Sequence, residues 1–453
     1  MAMDEIMEAA LAMGPAEGLS HFAEAIDKEW IEQALQATGT ASCRRRKLPA
    51  ERVVWLVLGM AMFADCSIGD VVDHLDLVVP GVKSLAPSSV PKARYRLGPA
   101  PIEWLFRRTA QEWSDPGGLD GWRGLSLFAV DGTCMRVQDS DENFEHFGKP
   151  GGRGGSNDAG YPQLRMACLM NLGTRLLVDA CFGPYSHSEH KLAEDLWNHV
   201  SDNSITILDR GFVNYTTFAG LIQSGNNRHF MVRMRRDMTC TEIEELPDGS
   251  ILADLHPSRA LRRANPDMPL AIRGRIVAYQ HEGGEPSRLF VTLLDHEVFP
   301  AADLVVLYHE RWEIEIAFDE LKTHMLERKE CLRSKLPAGV EQEVWGALLL
   351  YNLVRHEMLG VAEDNDLPPD RISFWSSLLW MRDFWVVTAW LTRPGNLPRQ
   401  LREFRSKLNV LINPPRRSER RYPRHVKIKM SNFPRNRGKR GSKSQGEAAG
   451  DAK

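Results

Sequence analysis

Two apolar runs in the middle of the chain each carry a single aspartate, and this pattern limits the folds that the chain can adopt. Asp131 interrupts the run FAVDGT, and Asp209 ends the apolar part of TILDRGF. A carboxylate within or at the end of a buried strand is unfavourable unless it is paired or binds a metal. If the two strands are neighbours, their carboxylates repel each other, and a hard divalent cation relieves that repulsion. Taken singly, either residue has an ordinary alternative, an aspartate that caps a turn at a strand end.

The segments around these aspartates predict a mixed α/β layer. Three strand-like runs are followed by a helix, a strand, a second helix and a further strand. Residues of about 237–302 then return to strands and turns, which indicates a β-rich insertion. In chain order, the predicted elements of the layer are strands Leu125–Val137, Gln163–Leu172 and Arg175–Phe182, helix His187–Val200, strand Ser204–Asp209, helix Tyr215–Ser224 and strand His229–Arg235.

Helical segments flank this layer on both sides. Residues 19–114 read as helices, and the segments after the insertion predict helices at Asp303–Leu326, Gly339–Leu359 and Ser373–Leu391. The helix predicted over Ser88–Leu97 carries Lys92, Arg94 and Arg96, which suits a helix that contacts DNA. A surface helix with ordinary cations accounts for the same three residues.

Length and composition fit a globular protein of more than one domain. The chain has 453 residues, of which 43% are apolar and 26% charged, as is normal for a chain that buries a core. Its longest strongly apolar run, Val53–Phe63, is shorter than the about 20 residues that a membrane span needs. The acidic N-terminus does not resemble an export signal, and seven scattered cysteines contain no CxxC pair. We therefore expect a cytoplasmic protein without a disulfide framework or a structural zinc site.

Basic residues are concentrated near the C-terminus. Residues 416–443 contain 12 Lys and Arg and one acid, Glu419, a local charge of +11. This leaves about −14 for the rest of a chain whose net charge is −3. If the protein binds DNA, it does so through local basic patches and not through its whole surface. The alternative is a solvated, disordered tail.

One face of the helix predicted from Asp303 collects aromatic and charged residues. At about 100° per residue, a single arc of about 100° holds Tyr308, Arg311, Trp312, Glu315 and Lys322. Asp319 lies in the same stripe and competes with Glu315 on geometry alone. A solvent-facing polar stripe is the ordinary explanation, although tyrosine and tryptophan among the charges fit it less well.

The spacing of four of these residues resembles a family signature. Tyr308-x2-Arg311-x3-Glu315-x6-Lys322 is similar, at every spacing, to the YREK motif of the IS-four family of bacterial insertion-sequence transposases. DGT at 131–133 and DRGF at 209–212 resemble the contexts of that family's two other acids. The stretches YPQLR, FGPYSHSEH and PRHVKIKMSNFPRNR are also similar, so the resemblance runs from about residue 20 to about residue 440.

The resemblance implies a fold of class α/β. The expected parts are an RNase H-like catalytic core with a β-rich insertion, an all-helical N-terminal DNA-binding domain, and a helical, basic C-terminal region. The expected boundaries are 1–18 for a disordered N-terminus, 19–114 for the N-terminal domain, 121–360 for the catalytic domain, 361–415 for the C-terminal helices and 416–453 for a basic, largely disordered tail.

The resemblance also assigns roles to individual residues. It implies that Asp131, Asp209 and Glu315 are the catalytic residues and the ligands of the metal ions. Tyr308, Arg311 and Lys322 are expected to contact phosphates near the cleaved end of the element. The further DNA contacts expected are Arg210, Lys92, Arg94 and Arg96.

The implied reaction is cut-and-paste transposition by in-line phosphoryl transfer, with two Mg²⁺ per active site, for which Mn²⁺ substitutes. Its steps are nicking, hairpin formation, hairpin opening and strand transfer. The implied partners are the terminal inverted repeats of the element, target DNA and a second copy of the chain. Trp312 suits a flipped base, and packing in the core suits it equally. Two alternatives stay open: a DNA-binding repressor, disfavoured because all three carboxylates are present, and a nuclease that cuts without joining.

Overall fold

A computed structural model describes residues 26–41, 47–75, 77, 86, 88–114, 121–150, 160–280, 286–326, 331–391 and 412–413. All of them belong to the unit formed by residues 1–413. The expectations for the first 18 residues and for the basic tail at 416–453 lie outside the described residues.

A mixed sheet of nine strands runs through the described part of the chain. Its order from edge to edge is β3-β2-β1-β4-β5-β9-β8-β7-β6. The strands are β1 Ser126–Arg136, β2 Gln163–Asn171, β3 Leu177–Pro184, β4 Ser204–Leu208, β5 Arg228–Arg233, β6 Cys240–Glu245, β7 Ile251–Leu255, β8 Ile272–Tyr279 and β9 Ser287–Val291.

The first five strands have the arrangement expected of an RNase H-like core. β1, β2 and β3 pair antiparallel, whereas β4 pairs parallel with both β1 and β5. Parallel neighbours need crossover connections, and the helices predicted at 187–200 and 215–224 lie where such connections are required. The predicted ends of these five strands lie within about two residues of the observed ends.

The helices of the described chain fall before, within and after this sheet. Those before it are α1 Lys28–Ala37, α2 Ala50–Met62, α3 Ile68–His74, α4 Ser89–Leu97 and α5 Ala100–Trp113. Those within it are α6 Asp141–Phe147, α7 Glu189–Glu194, α8 Tyr215–Gln223 and α9 Arg259–Ala264. Those after it are α10 Ala301–His309, α11 Trp312–Asp319, α12 Pro337–Asp364 and α13 Phe374–Leu391. Among the described residues, no helix is long and apolar enough to cross a membrane.

The two faces of the sheet bury separate cores, because side chains alternate along a strand. Ala129 belongs to a core shared with α2, α5, α10 and α12, whereas its neighbour Val130 belongs to a core shared with α7 and α8. The long helix α12 packs against both α2 and α5. The N-terminal helices and the helices that follow the sheet therefore share one apolar core.

The strands at 237–302 continue the same sheet. β9 pairs antiparallel with β5, and β8, β7 and β6 follow it in turn. β6 is the outer edge, and its exposed side chains include Glu242, Glu244 and Glu245. The register between β6 and β7 shifts between Glu242 and Glu244, which marks an irregularity in this edge strand.

Two predicted helices differ from the structure. The helix predicted over Asp303–Leu326 is three pieces: α10, α11 and a π-helical turn at Glu320–Met325. Between α10 and α11, Glu310 and Arg311 donate to carbonyls three residues back, which tightens and interrupts the α-helix. The helix predicted over His187–Val200 is likewise α7 followed by a 3-10 helix at Asp195–His199. The spacing of apolar residues in the sequence indicates which face of such a segment is buried. It does not show where the hydrogen-bond pattern of the helix changes.

Candidate active site

The sheet register brings Asp131 and Asp209 together. In the parallel pair β1 and β4, Val130 lies opposite Leu208, and each aspartate is the next residue. Asp131 continues in β1, whereas Asp209 follows the last residue of β4. Each carboxylate accepts a hydrogen bond from the next backbone N–H, at 2.7 Å from Gly132 and 2.6 Å from Arg210. The two apolar runs with single aspartates are thus adjacent strands, so the condition under which their carboxylates repel each other is met.

Asp131 lies in an environment that opposes its ionisation. Burial raises its pKa to about 6, and the negative charges of Asp209 and Glu315 add to that effect. The Gly132 N–H and the Arg311 guanidinium act in the opposite direction without cancelling it. Asp209 and Glu315, which with Asp131 make up the expected catalytic triad, are therefore close enough to oppose the ionisation of Asp131.

Glu315 reaches this region from α11, which packs against β1. Its Oε1 lies 2.7 Å from Nη2 of Arg311, the residue that precedes the helix. The same helix is tied to the β2–β3 hairpin, because Glu313 forms a buried ion pair with Arg175. The competing acid, Asp319, is exposed and accepts a hydrogen bond from Thr323 at 2.7 Å. Position and contacts thus favour Glu315 over Asp319 as the third acid.

The carboxylates of Asp131, Asp209 and Glu315 are the kind of ligand that suits a hard divalent cation. They do not, however, surround one common point. Within the described ranges, no three His, Cys, Asp or Glu side chains gather closely enough to hold one ion. Glu315 is instead paired with Arg311. Carboxylate oxygens are the ligands that Mg²⁺ prefers. The pKa of Asp131 is raised mainly by burial, and the charges of Asp209 and Glu315 add to it. Asp131, Asp209 and Glu315 are therefore the residues here that could hold a metal ion.

The three remaining signature residues surround the acids. Tyr308 is 8% exposed, and burial raises the pKa of its hydroxyl to about 12. The Arg311 guanidinium lies 6.0 Å from the centre of the Tyr308 ring. The Lys322 ammonium donates a hydrogen bond to the hydroxyl of Thr133, two residues beyond Asp131. Thr133 is a site residue that the sequence reasoning missed, and its position in the DGT motif was the available signal.

The three cations of α4 have different surroundings. Arg94 is 4% exposed, and its guanidinium donates to Gln342, Ser334 and the carbonyl of Gly339 and pairs with Glu343. The prediction that Arg94 contacts DNA is therefore wrong, because the side chain ties α4 to the start of α12. Lys92 and Arg96 are exposed, as is Arg210 beside Asp209, although Arg96 also donates to the carbonyl of Leu48 at 3.4 Å. These three residues remain accessible to a ligand.

Trp312 is 44% exposed at the start of α11. Its packing in the protein core, one of the two interpretations of the sequence, does not agree with this exposure. An indole ring therefore stands at the surface, directly after Arg311.

Comparison with known proteins identifies the family of this chain. Residues 16–107 match the family described as Insertion element 4 transposase N-terminal, and residues 122–353 match the family described as Transposase DDE domain. The chain is 35% identical over 419 residues to Transposase InsG for insertion sequence element IS4 of Escherichia coli (strain K12), which covers 92% of this chain and 93% of that protein. Putative transposase InsZ of the same organism is 39% identical over 227 residues, 49% of this chain and 74% of that protein.

A solved structure, the cryo-EM structure of the piggyBac transposase synaptic complex with hairpin DNA, aligns with a TM-score of 0.43 at 12% identity, over 90% of this chain and 89% of that chain. The family matches and the relative InsG are much more similar, and they decide the assignment. This chain therefore belongs to the IS4 family of insertion-sequence DDE transposases, enzymes whose family uses divalent metal ions.

Proposed function

We propose that this transposase moves its element by cut-and-paste transposition, with Asp131, Asp209 and Glu315 as the ligands of two Mg²⁺ ions. The observation that carries the proposal is the adjacency of Asp131 and Asp209 at the β1–β4 register, with Glu315 close enough to raise the pKa of Asp131. A partly buried aspartate whose pKa is raised, with two further acids beside it, suits hard cations better than a structural role.

The residues around the triad suit phosphoryl transfer, in which positioning and charge neutralisation dominate. When bound, the two metal ions supply an activated water or 3′ hydroxyl and a stabilised leaving oxygen, and Mn²⁺ substitutes for Mg²⁺. Arg311 offers a planar fork that binds two phosphate oxygens, and Lys322 offers a point charge. Tyr308 completes this phosphate-binding group beside the acids.

The proposed DNA contacts extend beyond the acids. Arg210 is exposed directly after Asp209, and Lys92 and Arg96 are exposed on α4. We expect these cations to bind the backbone of the terminal inverted repeats or of target DNA. A transposase must hold two ends of its element, so a homodimer is expected on DNA.

The hairpin step needs a base to leave the stack near the cut. We expect the exposed ring of Trp312, which follows Arg311, to stack on that base. Base stacking on an aromatic ring contributes about 1–3 kcal/mol. Loss of the ring should therefore affect hairpin formation more than the first nick.

The test compares two isosteric substitutions on one helix. A labelled element-end duplex is incubated with Mg²⁺ and the native protein, Glu315→Gln or Asp319→Asn, and the products are separated on a denaturing gel. We expect nicked and hairpin products from the native protein and from Asp319→Asn, because Asp319 is exposed and bonded only within its own helical turn as far as the hydrogen bonds of the described residues show. Glu315→Gln should lower product formation by about a hundredfold or more, since it removes a metal ligand.

Each contrary result has a definite meaning. If neither the native protein nor the variants cut although all bind the end tightly, the protein is a DNA-binding repressor or the product of a decayed element, and the proposed mechanism fails. If Asp319→Asn and not Glu315→Gln abolishes cutting, the assignment of the third acid is wrong. Cutting without any transfer of the 3′ end to target DNA identifies a nuclease.

A further inference from the structure

Lys322 lies in an unusual piece of backbone. It belongs to the π-helical turn Glu320–Met325, which directly continues α11. The N–H of Leu326 donates to the carbonyl of Leu321, five residues back, at 3.0 Å. π-Helical turns are rare and occur mostly as single turns within α-helices, often at functional sites. A turn of this kind needs contacts that hold it against relaxation to the α-helix.

Glu320 supplies such a contact on the side of the helix away from the acids. Five residues after Glu315, it lies about 140° from it around the helix axis. Its Oε2 accepts hydrogen bonds from the Arg355 guanidinium and, at 3.3 Å, from the hydroxyl of Tyr351. Arg355 also donates to the Tyr351 hydroxyl at 3.0 Å. Both partners of Glu320 lie on α12.

This cluster is buried and closely packed. The side chains of Glu320 and Arg355 are 13% and 6% exposed, and Tyr351 is fully buried. The Arg355 guanidinium lies 5.6 Å from the centre of the Tyr351 ring and 5.4 Å from that of Phe374. A buried ion pair adds little stability over an apolar pair of similar volume, but it requires one particular geometry. The cluster is thus better suited to fixing the turn than to stabilising the fold.

The opposite side of the turn faces the active site. The Lys322 ammonium donates to the hydroxyl of Thr133 on β1, the strand that also carries Asp131. The π-helical turn is therefore held between the Glu320 cluster on α12 and Thr133 on the catalytic strand. A displacement of Glu320 must move the backbone from which Lys322 extends.

We propose that Glu320 and Arg355 are positioning residues, which act through the π-helical turn to hold the Lys322 ammonium beside Asp131. Neither residue touches the reacting atoms. This inference rests on the proposed role of Lys322 at a phosphate near the cut, because that role is what makes its position matter to the reaction.

The test measures how accessible the Lys322 ammonium is to a chemical reagent, in the absence of DNA and metal. The native protein and Glu320→Gln are treated with an amine-acylating reagent, and modification of Lys322 is followed by mass spectrometry. We expect Lys322 to be protected in the native protein and to react roughly tenfold faster in the variant, because its contact with Thr133 opens more often. Cleavage at saturating DNA should also fall, by up to about a hundredfold, as a displacement of about 1 Å can cause.

Glu343→Gln is the matched control. Glu343 lies on the same helix, α12, and pairs with Arg94, and the two side chains are 8% and 5% exposed. This variant breaks a comparably buried ion pair without touching the π-helical turn, so Lys322 should stay protected. If both variants expose Lys322 equally, the effect is a general loss of stability, and the proposal is overturned. Unchanged protection in Glu320→Gln overturns it as well.

Two milder variants keep the test informative if Glu320→Gln does not fold. Tyr351→Phe removes only one donor to Glu320, so a small rise in Lys322 reactivity is expected. Arg355→Lys keeps the charge but cannot bond Glu320 and Tyr351 together with one planar group, so intermediate protection is expected. Native protection in both variants contradicts the proposal. If Lys322 becomes reactive in these variants while Lys322→Ala still cuts normally, positioning is supported and the phosphate role of Lys322 fails.

Discussion

Asp131 shows how strongly one residue can depend on its surroundings. Its pKa, ordinarily 3.8, is raised to about 6 by burial and by the neighbouring acids. Between these values the native state binds a proton that the unfolded chain has released. Without metal, the free energy of unfolding should therefore fall as the pH rises from about 4 to about 6, and it should stay lower above that range.

The corresponding substitution is Asp131→Asn. In the presence of a chelator at pH 8, this variant should be more stable than the native protein by about 1–3 kcal/mol, because it removes the repelled charge. At pH 4 the two proteins should be nearly equal, since Asp131 is then protonated. Denaturant unfolding at both pH values measures the difference. Asp319→Asn is the control, and a similar pH-dependent gain in that variant would show that the effect is not specific to the site.

Single residues also differ in how far their roles can be predicted from the sequence. Asp131 and Asp209 were identifiable because a lone carboxylate in an apolar run is visible locally. Arg94 was assigned to DNA because its partners Ser334, Gln342 and Glu343 lie more than 200 residues away in the chain. Burial of a cation by remote partners leaves no local pattern in the sequence. Lys92, Arg94 and Arg96 therefore cannot be told apart from the sequence of α4 alone.

At the scale of elements, α4 combines a structural side and an accessible side. Arg94→Ala leaves Glu343 buried without its cation and should cost roughly 3–5 kcal/mol of stability. Lys92→Ala, on the exposed side of the same helix, should change stability by less than about 0.5 kcal/mol. Denaturant unfolding compares the two.

DNA binding should show the reverse order. Lys92→Ala is expected to weaken binding of the element end and to make the salt dependence of the affinity shallower by about one unit, because one phosphate contact is lost. Titrations at several salt concentrations measure this slope. An unchanged slope in both Lys92→Ala and Arg96→Ala would remove α4 from the proposed DNA surface.

The helix that carries Glu315 shows a second limit of prediction. The stripe from Tyr308 to Lys322 was recognised as one face, although the segment contains a break at Glu310–Arg311 and a π-helical turn at Glu320–Met325. These side chains still share one face because Arg311 and Glu315 stay one turn apart and form an ion pair. Lys322 is held on that face by its hydrogen bond to Thr133 on β1. Helical phasing thus grouped the side chains but left Asp319 beside Glu315, and only the resemblance to the family selected Glu315. Tertiary contacts determine the backbone that presents these side chains.

At the scale of the whole molecule, charge is distributed very unevenly. Residues 416–443 carry +11, whereas the remaining chain carries about −14. Removal of residues 414–453 should therefore weaken binding to random-sequence DNA and reduce its salt dependence by several units, since each phosphate contact contributes about 0.9. Cutting of bound element ends should persist, because the triad lies outside the deletion. Equal salt slopes for the shortened and full-length proteins would show that the tail does not bind DNA.

The nine-stranded sheet has a consequence at its outer edge. Within the described part of the chain, β6 pairs with a strand on one side alone, β7, and such an edge can recruit strands from other chains. The strand carries three exposed glutamates, Glu242, Glu244 and Glu245. Its register with β7 shifts between Glu242 and Glu244. Like charges brought into register repel each other, which disfavours pairing between two copies of this edge. We therefore expect the acidic border to oppose edge-to-edge aggregation when many copies of the protein gather in one place.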